Sequence, residues 1–96
     1  MELRAGSKVW IPCEVKPGPF SNERLVRVRH VSGEWVGFVE TSFLKEPVEQ
    51  GQTSVFATVV AVEGNVFSAR IPGQALDSNE VRGSTAQVSL IGALQA

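Results

Sequence analysis

Cys13 and His30 are the one thiol and imidazole pair in this 96-residue sequence that could serve as a nucleophile and its base. Acyl transfer through them would need the two groups within hydrogen-bond reach, with a third group orienting the imidazole. Both fall on apolar faces of strand-like runs, where a cysteine is ordinarily a small buried hydrophobe and a histidine a packed or rim residue. The expectation is therefore no catalysis, with a small Cys/His enzyme as the third-ranked function. Asp77, Asn79 and Glu80 offer oxygens but lack the spaced acidic ladder and central glycine of a calcium loop. Asp77 and Asn79 read as turn-capping residues, and no metal or other cofactor is expected.

Arg24, Arg27 and Arg29 form the other chemically suggestive group, with Trp10 and Trp35 as aromatic neighbours. Cations beside aromatic rings bind single-stranded nucleic acid by phosphate pairing and base stacking, or bind an acidic protein. The competing reading is a solvated sheet face whose arginines pair across strands with Glu14, Glu34 or Glu40. A formal net charge of -1 favours the latter, since phosphate affinity depends on a local positive excess. Trp10 alternates out of the first-choice core and is either a contact residue or covered by the loop through Phe20.

The elements that must position these residues are strands. Val9, Ile11, Cys13 and Val15 alternate with Trp10, Pro12, Glu14 and Lys16, which predicts a strand with the first set inward. Pro12 has no N–H to give to a ladder, so this strand is expected at a sheet edge or a bend. Pro17 to Asn22 is a shaped loop. Val26, Val28 and His30 then face one way and Leu25, Arg27 and Arg29 the other, until Ser32-Gly33 turns the chain into Trp35 to Val39 as a hairpin. Thr41 to Leu44 reads as one tight turn ended by Pro47.

The second part is richer in strand formers. Thr53 to Val62 is apolar on both sides and wants cover on both faces. Gly64-Asn65 marks a two-residue hairpin with Val66 to Ile71 as its return, because both turn residues tolerate positive φ. Gln74 to Gly83 is expected as a polar connection with at most one helical turn, and Gln87 to Leu94 as a last strand. Ser21-Asn22-Glu23 recurs as Ser78-Asn79-Glu80, a three-residue echo compatible with two interlocked half-barrels.

The run Gly37-Phe38-Val39-Glu40-Thr41-Ser42-Phe43-Leu44 resembles the closing segment of Src-homology-3-like domains, bacterial forms included, where a one-turn helix ends in an aromatic-aliphatic pair. The turn-rich segment after Val15 is similar to the long first loop of that barrel. The resemblance covers about residues 9–45 and implies a small barrel and a binding role. Members that bind proline-rich peptides usually carry a proline where Glu40 stands and a tryptophan pair where Leu25-Val26 stands. They also carry tyrosines, and this chain has none. The resemblance thus implies the fold without the family's ligand.

Size and composition agree with one soluble globular domain, with 43% hydrophobic and 20% charged residues. A single cysteine excludes an internal disulfide framework. The opening MELRAGSKVW lacks the apolar core of a signal peptide, and no run reaches bilayer length, so the expectation is a cytoplasmic protein with no membrane contact.

The expected fold is therefore all-β, a small Src-homology-3-like barrel or sandwich of about six short antiparallel strands, with at most one-turn helices. Residues 1–96 form one domain: a lead-in over 1–7, the barrel-like segment over 8–46, and further strands over 53–94 that close the barrel or form an interface. The expected function is a non-enzymatic binding or adaptor module for a protein partner. Trp10, Phe20, Arg27, Arg29 and Trp35 are its expected contact residues, with single-stranded nucleic-acid binding as the alternative. The apolar excess of the later strands makes a homodimer slightly preferred over a monomer.

Overall fold

The structure, a computed structural model, describes residues 3–29, 34–75 and 78–91. The described residues are all-β apart from two single-turn 3-10 helices. The strands are β1 (Lys8–Pro17), β2 (Glu23–Val28), β3 (Trp35–Glu40), β4 (Gln52–Glu63), β5 (Val66–Arg70), β6 (Gln74–Ala75), β7 (Glu80–Ser84) and β8 (Ser89–Leu90). The helical turns η1 (Thr41–Phe43) and η2 (Thr85–Gln87) follow β3 and β7.

All neighbouring strands are antiparallel, in the order β6-β3-β2-β1-β4-β5-β7, with β8 also paired to β1. The sheet curls into a half-barrel, and its concave side holds the core. Period-two alternation decides which side chains go there: Val9, Ile11 and Cys13 of β1, Val26 and Val28 of β2, Val55, Ala57 and Val59 of β4, and Phe67 and Ala69 of β5 are buried. The apolar excess of β4 is covered within the chain on its inward side, while a bulge between Val59 and Ala61 leaves Val60 exposed.

β1 is central, which corrects the edge position expected from Pro12. It pairs with β4 over Lys8 to Glu14, with β2 over Glu14 to Pro17, and with β8 at Val9 and Trp10. Pro12 is tolerated because its partner Ser54 turns its carbonyl away from β1, to the Lys45 N–H at 2.9 Å. The Pro12 and Ser54 pair is thus a non-hydrogen-bonded one, and the missing donor faces the gap between β2 and β8.

Gln74–Ala75 and Glu80–Ser84 are strands in place of the expected polar connection, and the second helical turn among the described residues, η2, lies further on. The connection from β6 to β7 carries the chain from one end of the sheet order to the other. Asn79 holds it in shape, donating through Nδ2 to the Gly73 carbonyl at 2.7 Å and accepting the Ala75 N–H at Oδ1. The expected Ser32-Gly33 turn, His30, Asp77 and the chain beyond Ile91 lie outside the described residues.

The strand pairing has a pseudo-twofold relation. Glu14 opposite Arg27 corresponds to Thr58 opposite Arg70, Val15 opposite Val26 to Val59 opposite Ala69, and Val26 opposite Gly37 to Ala69 opposite Val81. Each helical turn opens with a threonine N–H donated to an asparagine carbonyl, Thr41 to Asn22 at 3.0 Å and Thr85 to Asn65 at 2.9 Å. After its turn, each half lays a short segment on the other half's central strand: Leu44 bridges Val55, and β8 pairs with β1. The axis passes through Ile11 and Val55, which are counterparts and also face each other. The Ser-Asn-Glu echo does not mark this relation, because it opens β2 in one place and β7 in the other, and β2 corresponds to β5.

Candidate functional site

The convex side of β1, β2 and β3 carries the candidate site. Alternation projects Trp10, Pro12, Glu14 and Lys16 outward from β1, Leu25 and Arg27 from β2, and Val36 and Phe38 from β3. Most of these are half-buried, because neighbouring side chains on the same face cover one another.

At one end, the Trp10 and Phe56 rings meet edge to face at 6.4 Å, an arrangement their quadrupoles favour. Phe56 also lies 5.9 Å from Phe43 of η1, so the helical turn completes a three-ring cluster outside the sheet. In the middle, a cleft of ≈ 110 Å³ is lined by Pro12, Cys13, Glu14, Arg27, Arg29, Gln52 and Thr53. A smaller cleft beside it is lined by Glu14, Lys16, Leu25, Arg27 and Val36.

The structure places Arg27 and Arg29 together at the larger cleft, each facing a carboxylate. Arg29 Nε lies 2.6 Å from Glu14 Oε2, and Arg27 Nε lies 4.0 Å from Glu34 Oε2. These exposed pairs contribute little to stability, yet they orient the guanidinium groups and lower their availability for phosphate. Arg24 is turned to its own loop, donating from Nη1 to the Ser21 and Glu23 carbonyls.

Phe20 is 66% exposed on the loop between β1 and β2. It lies beyond the opposite end of β1 from Trp10, roughly 23 Å away along an extended strand, so the two do not share a contact.

Trp35 is not on this face. It is 4% exposed and sits in the core, with its indole N–H donated to the Ser78 carbonyl at 2.8 Å. Its ring fills the space above Gly37, where an added Cβ would come within 2.7 Å of it. The expected meeting of Trp35 with Trp10 is thereby corrected: in β3 both faces are apolar, and the residue with room beneath a glycine is the one turned inward.

Cys13 lines the cleft but is buried, and burial, followed by the neighbouring charge of Glu14, pushes its thiol up to about 12. A thiol that stays protonated at neutral pH is a poor nucleophile. Asn79 and Glu80 hold structural roles, the first in the connection before β7 and the second 4.0 Å from Arg70. Among the described residues, no group of three His, Cys, Asp or Glu side chains could hold a metal ion, and no helix is long and apolar enough to cross a membrane.

Leu25, Val36, Phe38, Phe43 and Phe56 belong to this face and were not among the expected contact residues. Alternation put Leu25 beside Arg27 and Phe56 out of step with Val55; the lateral registers that join them into one surface come only from the fold. No protein-family model matches this chain, and neither a curated protein nor a solved structure matches it.

Proposed function

We propose that this chain is a non-enzymatic binding module with a Src-homology-3-like barrel plan, and that its contact surface is the convex face of β1 to β3. Support for the plan comes from the succession of β1, β2, β3, a one-turn helix and β4, with β4 returning to pair alongside β1.

The observation that carries the functional reading is the composition of one continuous face. An aromatic cluster at Trp10, a charged cleft at Arg27 and Arg29, and apolar Leu25, Val36 and Phe38 stand side by side. Aromatic and arginine side chains with an apolar centre are the usual composition of protein contact sites.

Selection of peptides from a random display library against the folded chain, followed by amide chemical-shift mapping, tests this. Selected peptides should shift amides of Trp10, Arg27 and Val36 and lose affinity for Trp10→Ala. Selected peptides that map instead to β5 and β7, or no selected peptides, would overturn the reading.

A further inference from the structure

The pseudo-twofold relation supplies an internal control, because two equivalent backbone surfaces exist in one molecule. Leu25 corresponds to Ser68, Val36 to Glu80 and Phe38 to Arg82. At these three positions the first half carries apolar side chains where its counterpart carries polar ones, while the second half exposes Val66 at the position of Glu23 and Val60 at its bulge. One backbone plan produces both faces, so barrel geometry does not demand the apolar set. Leu25, Val36 and Phe38 are half-buried and adjacent, and together they form one apolar patch on this face.

Charge divides in the same way. Between Lys8 and Lys45 six Lys and Arg face four carboxylates, whereas from Glu46 onward two face five. On the first face, Lys16, Arg27 and Arg29 lie along β1 and β2, while Val36 and Phe38 lie along β3, with Leu25 between them. The surface thus has a charged margin, in which Glu14 stands among Lys16, Arg27 and Arg29, and an apolar margin running beside it.

We propose that this face docks an extended acidic segment of a protein partner, with carboxylates on one margin and aliphatic side chains on the other. An extended chain lying over β2 sends successive side chains to opposite sides, one set to Lys16, Arg27 and Arg29 and the other to Val36 and Phe38. The smaller cleft, lined by Lys16, Leu25, Arg27 and Val36 together with Glu14, lies where the two margins meet. Glu34, 4.0 Å from Arg27, and Glu14, 2.6 Å from Arg29, are the carboxylates that an incoming one would displace. This inference rests on the convex-face reading above and adds the chemistry of the partner.

The test uses the whole chain with three synthetic peptides: an alternating Glu-Leu-Asp-Val sequence, the same sequence with Lys at each acidic position, and one with Ser there. The acidic peptide should shift amides of Lys16, Leu25, Arg27 and Val36. Its affinity should fall about tenfold in Arg27→Glu and weaken on raising salt from 0.05 to about 0.5 M, as screened surface charges require. Arg82→Glu, on the equivalent face, should leave binding unchanged.

Equal binding of all three peptides on the convex face would overturn the acidic partner while leaving the convex-face reading intact. No shift on that face with any peptide would overturn this proposal, and the display selection decides the broader reading separately. Concentration-dependent self-association abolished by Arg27→Glu would identify the acidic half of a second copy as the occupant, and a low-salt shift of labelled single-stranded DNA would identify nucleic acid. Either result replaces the acidic segment.

Discussion

Trp35 and Ser78, far apart in sequence, are joined by a 2.8 Å hydrogen bond from the indole N–H to the backbone carbonyl. The bond ties β3 to the connection that leads from β6 into β7, so a core aromatic also fixes how the half-barrel closes.

Trp35→Phe should therefore destabilise the fold by about 1–3 kcal/mol in urea unfolding, through a lost hydrogen bond and imperfectly filled volume. The two tryptophans are also distinguishable in solution. Acrylamide should quench Trp10 fluorescence in the Trp35→Phe variant far more strongly than it quenches Trp35 in Trp10→Phe, matching a half-buried and a buried ring.

Gly37→Ala tests the packing beneath that ring. An added Cβ would lie 2.7 Å from the Trp35 ring and 2.8 Å from the Gln74 carbonyl oxygen, and the second of these is backbone that cannot rotate away. A loss of about 1–3 kcal/mol is expected from overpacking, measured by urea titration. Gly64→Ala, where nothing lies within 4 Å, should lose less and do so through its backbone angle alone (φ 60).

Asn79→Ala removes both side-chain bonds that shape the connection before β7. A cost of about 1–2 kcal/mol is expected, with faster hydrogen exchange at the Ala75 amide, which loses its Oδ1 acceptor. Exchange at Val26, deep in β2, should change only by the global loss of stability.

Cys13 makes stability depend on alkaline pH. Its folded thiol is raised to about 12 by burial and by Glu14, so the unfolded chain ionises first. Stability is then full below the unfolded thiol pKa and lost as pH rises above about 9, at up to ~1.4 kcal/mol per pH unit. Cys13→Ala should flatten that slope when unfolding free energy is followed from pH 7 to about 10. In the native state at pH 8 the thiol should react with a disulfide reagent orders of magnitude more slowly than in urea.

Much of the fold was legible because period-two alternation and turn chemistry are local. Val9, Ile11 and Cys13, Val26 and Val28, and Val55, Ala57 and Val59 alternate cleanly enough to assign their inward faces, and Gly64-Asn65 does mark a two-residue hairpin. Pro12 misled because its tolerance depends on a gap between β2 and β8, which no local window contains. Trp35 misled because Trp35, Gly37 and Val39 look no more apolar than Val36 and Phe38; the glycine that makes room for the indole decides the orientation. The pseudo-twofold relation was hidden because the halves share a pairing scheme and scarcely any side chains. For the candidate face, Trp10, Arg27 and Arg29 could be named from residue type, whereas its apolar margin required lateral registers.

The mutual overlap of the halves constrains how the molecule is made. Leu44 closes onto Val55, and the partner of Val9 and Trp10 in β8 is one of the last described segments of the chain. As the polypeptide leaves the ribosome, β1 can pair with β2 and then β4, but the free backbone edge at Val9 and Trp10 waits for β8. Each half completes the other's central strand, so acquisition of structure is expected to be cooperative. A protease that nicked the exposed connection around Glu49 should leave two fragments still clasped, each holding the segment that completes the other.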